Sequence, residues 1–236
     1  MSAPLKTPTA AAMAVRTAVI LLIFVLIFTS LLAGAYFWTK PAIEAAAAVE
    51  KMKLIGEVLP REVYDHSESE LLNNTVTLPP SPALGNEESS IAYRATRAGR
   101  VSALVFEAIA PDGYSGKIRL LLAVAADGSL LGVRVTQHKE TPGLGDYIEP
   151  RKDKNKERPW ITQFDRLSLA TVSDAQWRVK KDGGRFDSLA GATVTPRAVV
   201  KCVHKALKYV AEHRAALFDV TTEEIGRASC RERVSV

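Results

Sequence analysis

Hydrophobic residues are distributed along this chain in three different ways, and each predicts a different kind of element. From Thr17 to Trp38 they form one run of Leu, Ile, Val, Phe and small residues without a single charge. About 20 such residues suffice for a helix to cross the hydrocarbon core of a bilayer. Tyr36, Phe37 and Trp38 at its far end would form an interfacial belt. Between Val101 and Val135 the apolar runs are short and bounded by turn residues. Val101–Ile109 ends at Pro111-Asp112-Gly113, and Ile118–Ala125 is joined through Asp127-Gly128 to Leu130–Val135. Asp-Gly between two apolar runs is a strong hairpin signal, so these predict neighbouring antiparallel strands of one sheet. Near the C-terminal end, Val199, Val200, Val203, Ala206, Leu207 and Val210 recur at helical spacing. Arg197, Lys201, Lys205 and Lys208 take the opposite side, the pattern of an amphipathic helix lying on a core. Thr195 suits its N-cap and Pro196 its first position.

The intervening stretches are less regular. Ala42–Leu59 is rich in Ala and Glu and predicts a helix leaving the membrane, stopped by Pro60. Residues 66–90, with Leu78-Pro79-Pro80-Ser81-Pro82, predict a loop or irregular insertion. Trp160–Phe164 predicts a short helix or turn after the charged run Arg151–Arg158, and Trp177–Gly184 a strand and turn. The expected fold is therefore α+β: a single N-terminal transmembrane helix, then an antiparallel sheet packed with helices. The expected division is an N-terminal segment (1–16), the span (17–38), a helical connector and irregular segment (39–99), a folded domain (100–215) and a tail (224–236). The run Glu224–Val234 reads like the in-frame translation of a sequencing adapter and is set apart from the fold; a genuine basic tail is the alternative.

The 236 residues leave room for one anchor and one domain of ordinary size, with the hydrophobic (47%) and charged (24%) content of a foldable protein. A net charge of +5 with scattered basic residues supplies no concentrated stripe for nucleic acid, so no nucleic-acid partner is expected. Cys202 and Cys230 stand far apart and outside any metal-ligand spacing, so neither a disulfide framework nor a metal site is expected. For the span, a cleaved signal peptide is the competing reading, since Ala33-Gly34-Ala35 resembles a cleavage site; the long apolar run favours a retained anchor. Lys6 and Arg16 before it and Lys40, Lys51 and Lys53 after it barely decide orientation.

Two short segments carry candidate chemistry. In Asp187-Ser188-Leu189-Ala190-Gly191-Ala192-Thr193-Val194-Thr195-Pro196, the hydroxyl of Thr193 sits just before a helix start, where free amides and the macrodipole favour a phosphate. Gly191 and Ala192 leave room for a bulky group. In Glu140-Thr141-Pro142-Gly143-Leu144-Gly145, the proline fixes φ while the glycines permit close approach of a ligand. On local physics alone, the first reads as an ordinary helix cap and the second as a chain reversal.

Together these segments resemble the FMN-binding domain family, whose members include the G subunit of the Rnf electron-transport complex and the C subunit of the sodium-pumping NADH:quinone reductase. Asp187, Gly191, Ala192 and Thr193 match the family's acceptor signature; Ala190 stands where many members have Ser or Thr. The Glu140–Gly145 loop is similar to the second signature, and Tyr114-Ser115-Gly116 adds to the likeness. The stretches Lys180–Gly184 and Thr193–Val200 are most similar to the Rnf G subunit, with the C subunit as the alternative. The resemblance implies FMN held covalently through a phosphoester to Thr193, attached by a flavin transferase that uses FAD and releases AMP. It implies a loop at Glu140, Thr141 and Gly143 lying against the ring, and an electron-relay subunit with the other Rnf-type subunits as partners. It further implies a bacterial inner membrane location, single-pass, with the N-terminal segment (1–16) on the cytoplasmic side and the folded domain in the periplasm. Asp187 would be read by the transferase or would cap the turn. No residue is expected to be catalytic by itself. Rival readings are a Thr- or Ser-dependent hydrolase using His138 or His204, and a non-redox membrane-anchored scaffold.

Overall fold

A computed structural model describes residues 10–65, 67–189 and 191–219. The expected tail at 224–236 and most of the expected N-terminal segment lie outside the described residues. The chain divides into two compact units, one ending at Lys51 and one starting at Met52.

The first unit is made of helix α1, whose full extent is Ala10–Val58. Its stretch Met13–Ile43 is long and apolar enough to cross a membrane, and none of it is buried within the protein. Apolar residues surround this stretch on every side, so no face is reserved for a protein core. The segments expected as two, Thr17–Trp38 and Ala42–Leu59, form one helix that runs through Pro41.

The second unit is built on a five-stranded antiparallel meander, with strands in sequence order. They are β1 (Thr75–Leu78), β2 (Ser90–Arg97), β3 (Arg100–Ala110), β4 (Ile118–Ala125) and β5 (Leu130–Gln137). The three strands expected from apolar runs are present, and the Asp127-Gly128 pair turns the β4–β5 hairpin. The sheet also reaches back across residue 100 to include β1 and β2. Residues 66–90, expected as irregular, contain β1 and a short helix α2 (Glu68–Asn73). A capping box starts that helix: Ser67 Oγ accepts from the Glu70 amide, and Glu70 Oε2 accepts from the Ser67 amide. The segment Trp177–Gly184 is not a strand. It holds a 3-10 turn at Lys180–Asp182, and Val179 makes only an isolated bridge to Phe186.

Alternation along the strands sends side chains to two faces. On one face Tyr93, Ala95, Ala103, Val105, Leu121 and Ala123 pack with Ile55, Val58, Leu59 and Leu71. On the other, Leu104, Phe106, Leu120, Leu122, Val124 and Val133 form the larger core with helix α3 (Val194–Glu212) and the loops between β5 and α3. All six apolar positions expected on the α3 core face are buried, while Arg197, Lys201 and Lys205 are exposed. Each buried Val or Leu contributes about 1.5–3 kcal/mol by leaving water, so this stripe holds α3 far more firmly than its intrinsic propensity. A final helix, α4 (Arg214–Phe218), is tied to the sheet by buried Arg94, which donates from Nε to Leu217 O and from Nη2 to Ala216 O, both at 3.0 Å.

Candidate functional site

The end of β5 leads into the loop His138–Gly145, and its centre is Glu140. This carboxylate is 4% exposed, a costly placement unless its oxygens are satisfied. They are: Oε1 accepts from the Ser115 amide at 3.1 Å, and Oε2 accepts from the Thr195 hydroxyl. The Glu140 amide donates to His138 Nδ1 at 3.0 Å. One side chain thus gathers the β3–β4 loop, the β5 exit loop and the first turn of α3. Two glycines permit it. A Cβ on Gly113 would stand 2.9 Å from Glu140 Oε1, and one on Gly145 would stand 2.9 Å from both Glu140 Oε2 and Thr195 Oγ1.

Gly143 adopts φ +76°, with open space where a Cβ would go, and its amide donates to Asp146 Oδ1 at 2.8 Å. The carbonyl of half-buried Thr141 accepts from the Leu144 and Gly145 amides. Three large apolar side chains nearby in the chain stay exposed: Tyr114 (70%), Leu144 (49%) and Val194 (43%). Each is the direct neighbour of a residue packed on or bonded to the Glu140–Thr195 pair, namely Ser115, Gly145 and Thr195.

The start of α3 differs from the expected cap. The helix begins at Val194, so Thr193 is the N-cap, and Thr195 and Pro196 lie inside the first turn. Thr195 points its hydroxyl inward to Glu140 because a buried carboxylate needs a donor there. A capping threonine ordinarily takes an extended backbone and turns its oxygen to an amide of the first turn. Thr193 does neither: it sits at φ −93°, ψ −24° with no side-chain cap bond. Among the described residues its half-buried hydroxyl has no hydrogen-bond partner. The amides of that first turn lack intrahelical acceptors, so the site favours an anion on the threonine oxygen.

The approach to Thr193 is fixed from both sides. The Ala192 amide donates to Leu189 O at 3.1 Å across a turn that carries Gly191 at φ +85°. Tyr147 Oη accepts from the Leu189 amide at 3.4 Å and donates to Ala192 O at 3.5 Å. Burial pushes the Tyr147 phenol up to about 12, which keeps that proton in place at neutral pH. Asp187 is held by its backbone: its amide donates to Gln163 Oε1 at 2.8 Å and its carbonyl accepts from Trp160 Nε1 at 2.7 Å. Its exposed carboxylate pairs with Lys180. Arg197 makes a two-pronged contact to Asp182, binding the Lys180–Asp182 turn to the first turn of α3.

Neither candidate base of the hydrolase reading reaches Thr193. His138 lies between the Glu140 amide and Glu149, and His204 stacks on Trp177 with centroids 5.2 Å apart while facing Asp174. A threonine hydroxyl without a base is a poor nucleophile. A larger cavity of about 780 Å³, lined by Arg100, Glu212, Arg214 and Phe218 among others, contains none of the expected site residues.

Comparison with known proteins bears on the same residues. A family model described as FMN-binding domain matches residues 113–208, and one described as RnfG N-terminal region matches residues 7–58. The G subunit of the ion-translocating oxidoreductase complex of Shewanella oneidensis is 41% identical over 204 residues, covering 86% of this chain and 92% of that protein. Its counterpart in Pseudomonas aeruginosa is 46% identical over 202 residues, covering 86% and 91%. The one in Vibrio cholerae is 38% identical over 202 residues, covering 86% and 92%. The chain belongs to this family of oxidoreductase-complex G subunits. The FMN-binding match starts at Gly113 and includes every residue of the Glu140 hub and of the turn before Thr193.

Within this architecture, the two segments singled out from sequence converge through contacts that sequence did not supply. Thr195, two residues after Thr193, bonds Glu140, and Tyr147, two residues after Gly145, bonds the Leu189 amide and the Ala192 carbonyl. Tyr147, Trp160 and Gln163, which hold the turn before Thr193, are not among the residues expected for the site. Their signal in the sequence is a few polar-tipped residues flanking the charged run Arg151–Arg158, too weak to separate from ordinary core aromatics. The chemistry of the site fits a flavin phosphate: a hydroxyl without a cap bond, a helix start behind it, and exposed Tyr114, Leu144 and Val194 each next in the chain to the residues around the Glu140–Thr195 pair.

Proposed function

We propose that this chain is a membrane-anchored electron carrier with FMN esterified through its phosphate to Thr193, working among the other subunits of an Rnf-type ion-translocating complex. The observation that carries this reading is the Thr193 hydroxyl itself. It stands at the start of a 19-residue helix, uncapped, in the segment that matches an FMN-binding domain. The attached phosphate keeps one negative charge, which the amides and dipole at the helix start stabilise. Tyr114, Leu144 and Val194 would give the ring an apolar bed, with Thr141 and the amides of its loop along a polar edge. Bound FMN supplies the redox centre, and the protein supplies position and surroundings. Covalent attachment keeps the cofactor at high effective concentration where free flavin would diffuse away.

The match to the RnfG N-terminal region together with the FMN-binding domain favours the Rnf assignment over the C subunit of the sodium-pumping reductase. In this reading the apolar stretch of α1 is a single-pass anchor in the bacterial inner membrane, and the unit from Met52 onward lies in the periplasm. With no base bonded to Thr193 among the described residues, attachment requires a flavin transferase. Production with and without that enzyme, followed by denaturing electrophoresis, tests the reading. Flavin fluorescence should travel with the polypeptide only when the transferase is present. Flavin released on denaturation would leave an ordinary non-covalent flavoprotein, and no flavin under either condition would leave the scaffold reading.

A further inference from the structure

The turn Asp187–Leu189, just upstream of Thr193, forms one wall of a groove of about 380 Å³; the other walls come from residues 153–163 and Tyr147. Its aromatic side is built by Tyr147 and Trp160, whose rings meet edge to face with centroids 5.6 Å apart. Its basic rim is a folded loop rather than a loose one. The buried Asp153 carboxylate accepts from the Trp160 amide at 2.6 Å and the Asn155 amide at 2.9 Å, and Asn155 Oδ1 accepts from the Arg158 amide at 3.0 Å. The acids of this loop therefore do not cancel its cations evenly, since Asp153 is spent inside. Arg158 lines the groove, and Lys154 stands in the chain between two residues that line it; both are exposed, and among the described residues neither forms an ion pair. Across the groove, Lys180 is already neutralised by Asp187.

We propose that this groove is the docking site of the flavin transferase, which seats an acidic loop against Arg158 and Lys154 and an apolar side chain beside Trp160. The proposal rests on Thr193 being the FMN acceptor. Continuity points to this occupant: the groove wall and the acceptor belong to one turn, and Tyr147 Oη bonds the Leu189 amide and the Ala192 carbonyl directly before Thr193. An enzyme that works on Thr193 stands four residues along the chain from this wall. A concave site with aromatic walls and unpaired cations at the rim suits a protein loop bearing a carboxylate, since anchors pack in pockets and rim charges steer the approach. In the step so served, Thr193 Oγ attacks the FMN-side phosphorus of FAD and a P–Oγ bond forms. The P–O–P bridge breaks, AMP leaves with the bridging oxygen and its electron pair, and the hydroxyl proton passes to a base of the transferase. No electrons change hands.

The test uses the full chain in detergent with purified transferase and FAD, and reads the initial rate of flavin attachment against chain concentration. For the double variant Lys154→Glu, Arg158→Glu, KM for the chain should rise about tenfold or more, with kcat little changed, because rim charges act on association. Affinity of the transferase for the unreactive Thr193→Val chain, measured by interferometry, should fall by a similar factor when the same two changes are added. Lys205→Glu, on the exposed side of α3, should leave both at the parent values. Parent rates and affinity in the double variant would overturn the proposal, as would an equal loss from Lys205→Glu, which would reduce the effect to bulk charge. Weaker binding to vesicles containing anionic lipid with unchanged transferase affinity would overturn it too, assigning the rim to a membrane. If the parent chain itself takes no flavin, the acceptor reading fails instead, and the two failures are distinct.

Discussion

Thr193 and Thr195 stand two residues apart at the start of one helix, yet their surroundings differ in almost every respect. Thr195 is 2% exposed and gives its hydroxyl to a buried carboxylate. Thr193 is half-buried, and among the described residues its hydroxyl gives and takes nothing. The first is a structural pin that holds three loops together through Glu140. The second is a hydroxyl kept out of that network at a place where an anion is welcome. A helix start can thus serve packing and chemistry at once when one of its oxygens is bonded inside and the other is left without a partner. An alcohol at a helix start is therefore not a site until its hydrogen bonds have been traced.

The largest expected effect separates the two threonines outright. Thr193→Val should abolish covalent flavin while leaving the circular dichroism spectrum and melting temperature near the parent's, because no internal bond is lost. Thr195→Val should retain flavin on Thr193 but leave Glu140 short of a donor in a buried site. That costs about 1–3 kcal/mol, to be read as a lower denaturant midpoint; an unchanged midpoint would mean the Glu140 contact is not holding the loops. Gly143→Val sharpens the comparison from the loop side. Its φ of +76° is strained for a β-branched residue although the space is open. The expected result is a shifted flavin midpoint potential or spectrum with the covalent bond intact, while a surface turn would lose stability alone. The smallest effect concerns Cys202, at the buried middle of α3. Burial pushes its thiol up to about 12, so at pH 8 it stays protonated and shielded. Maleimide should label it in denaturant and barely at all in the folded protein.

The parts of this molecule that could be read from sequence are those governed by period. The α3 stripe from Val199 to Val210 and the three apolar strands followed from spacing alone, because a core face must repeat every 3.6 or 2 residues. Helix α2 was hidden because its capping box, Ser67 with Glu70, lies in a polar stretch without an apolar stripe. Trp177–Gly184 looked like a strand because Trp177 and Val179 alternate with charged residues, but their side chains are buried among Phe186 and the loops, and backbone pairing goes no further than one bridge. In the turn before α3, the motif singles out Thr193 as a candidate, whereas nothing in the sequence marks the bond between Thr195 and Glu140. Their bond joins residues 55 positions apart, and no local pattern marks a carboxylate that will meet a particular hydroxyl across the fold.

The central claim is that the free hydroxyl, and not the bonded one, carries the cofactor. It is tested most directly by mapping the modified residue in the parent chain. The full-length protein is produced with a flavin transferase, denatured and digested, and the fluorescent peptide is sequenced by fragmentation mass spectrometry. The expected result is an added FMN phosphoryl mass on Thr193, with Thr195 in the same peptide unmodified. Flavin on Thr195, or a peptide spanning Gly191 to Pro196 with no added mass while flavin is bound elsewhere, would contradict it.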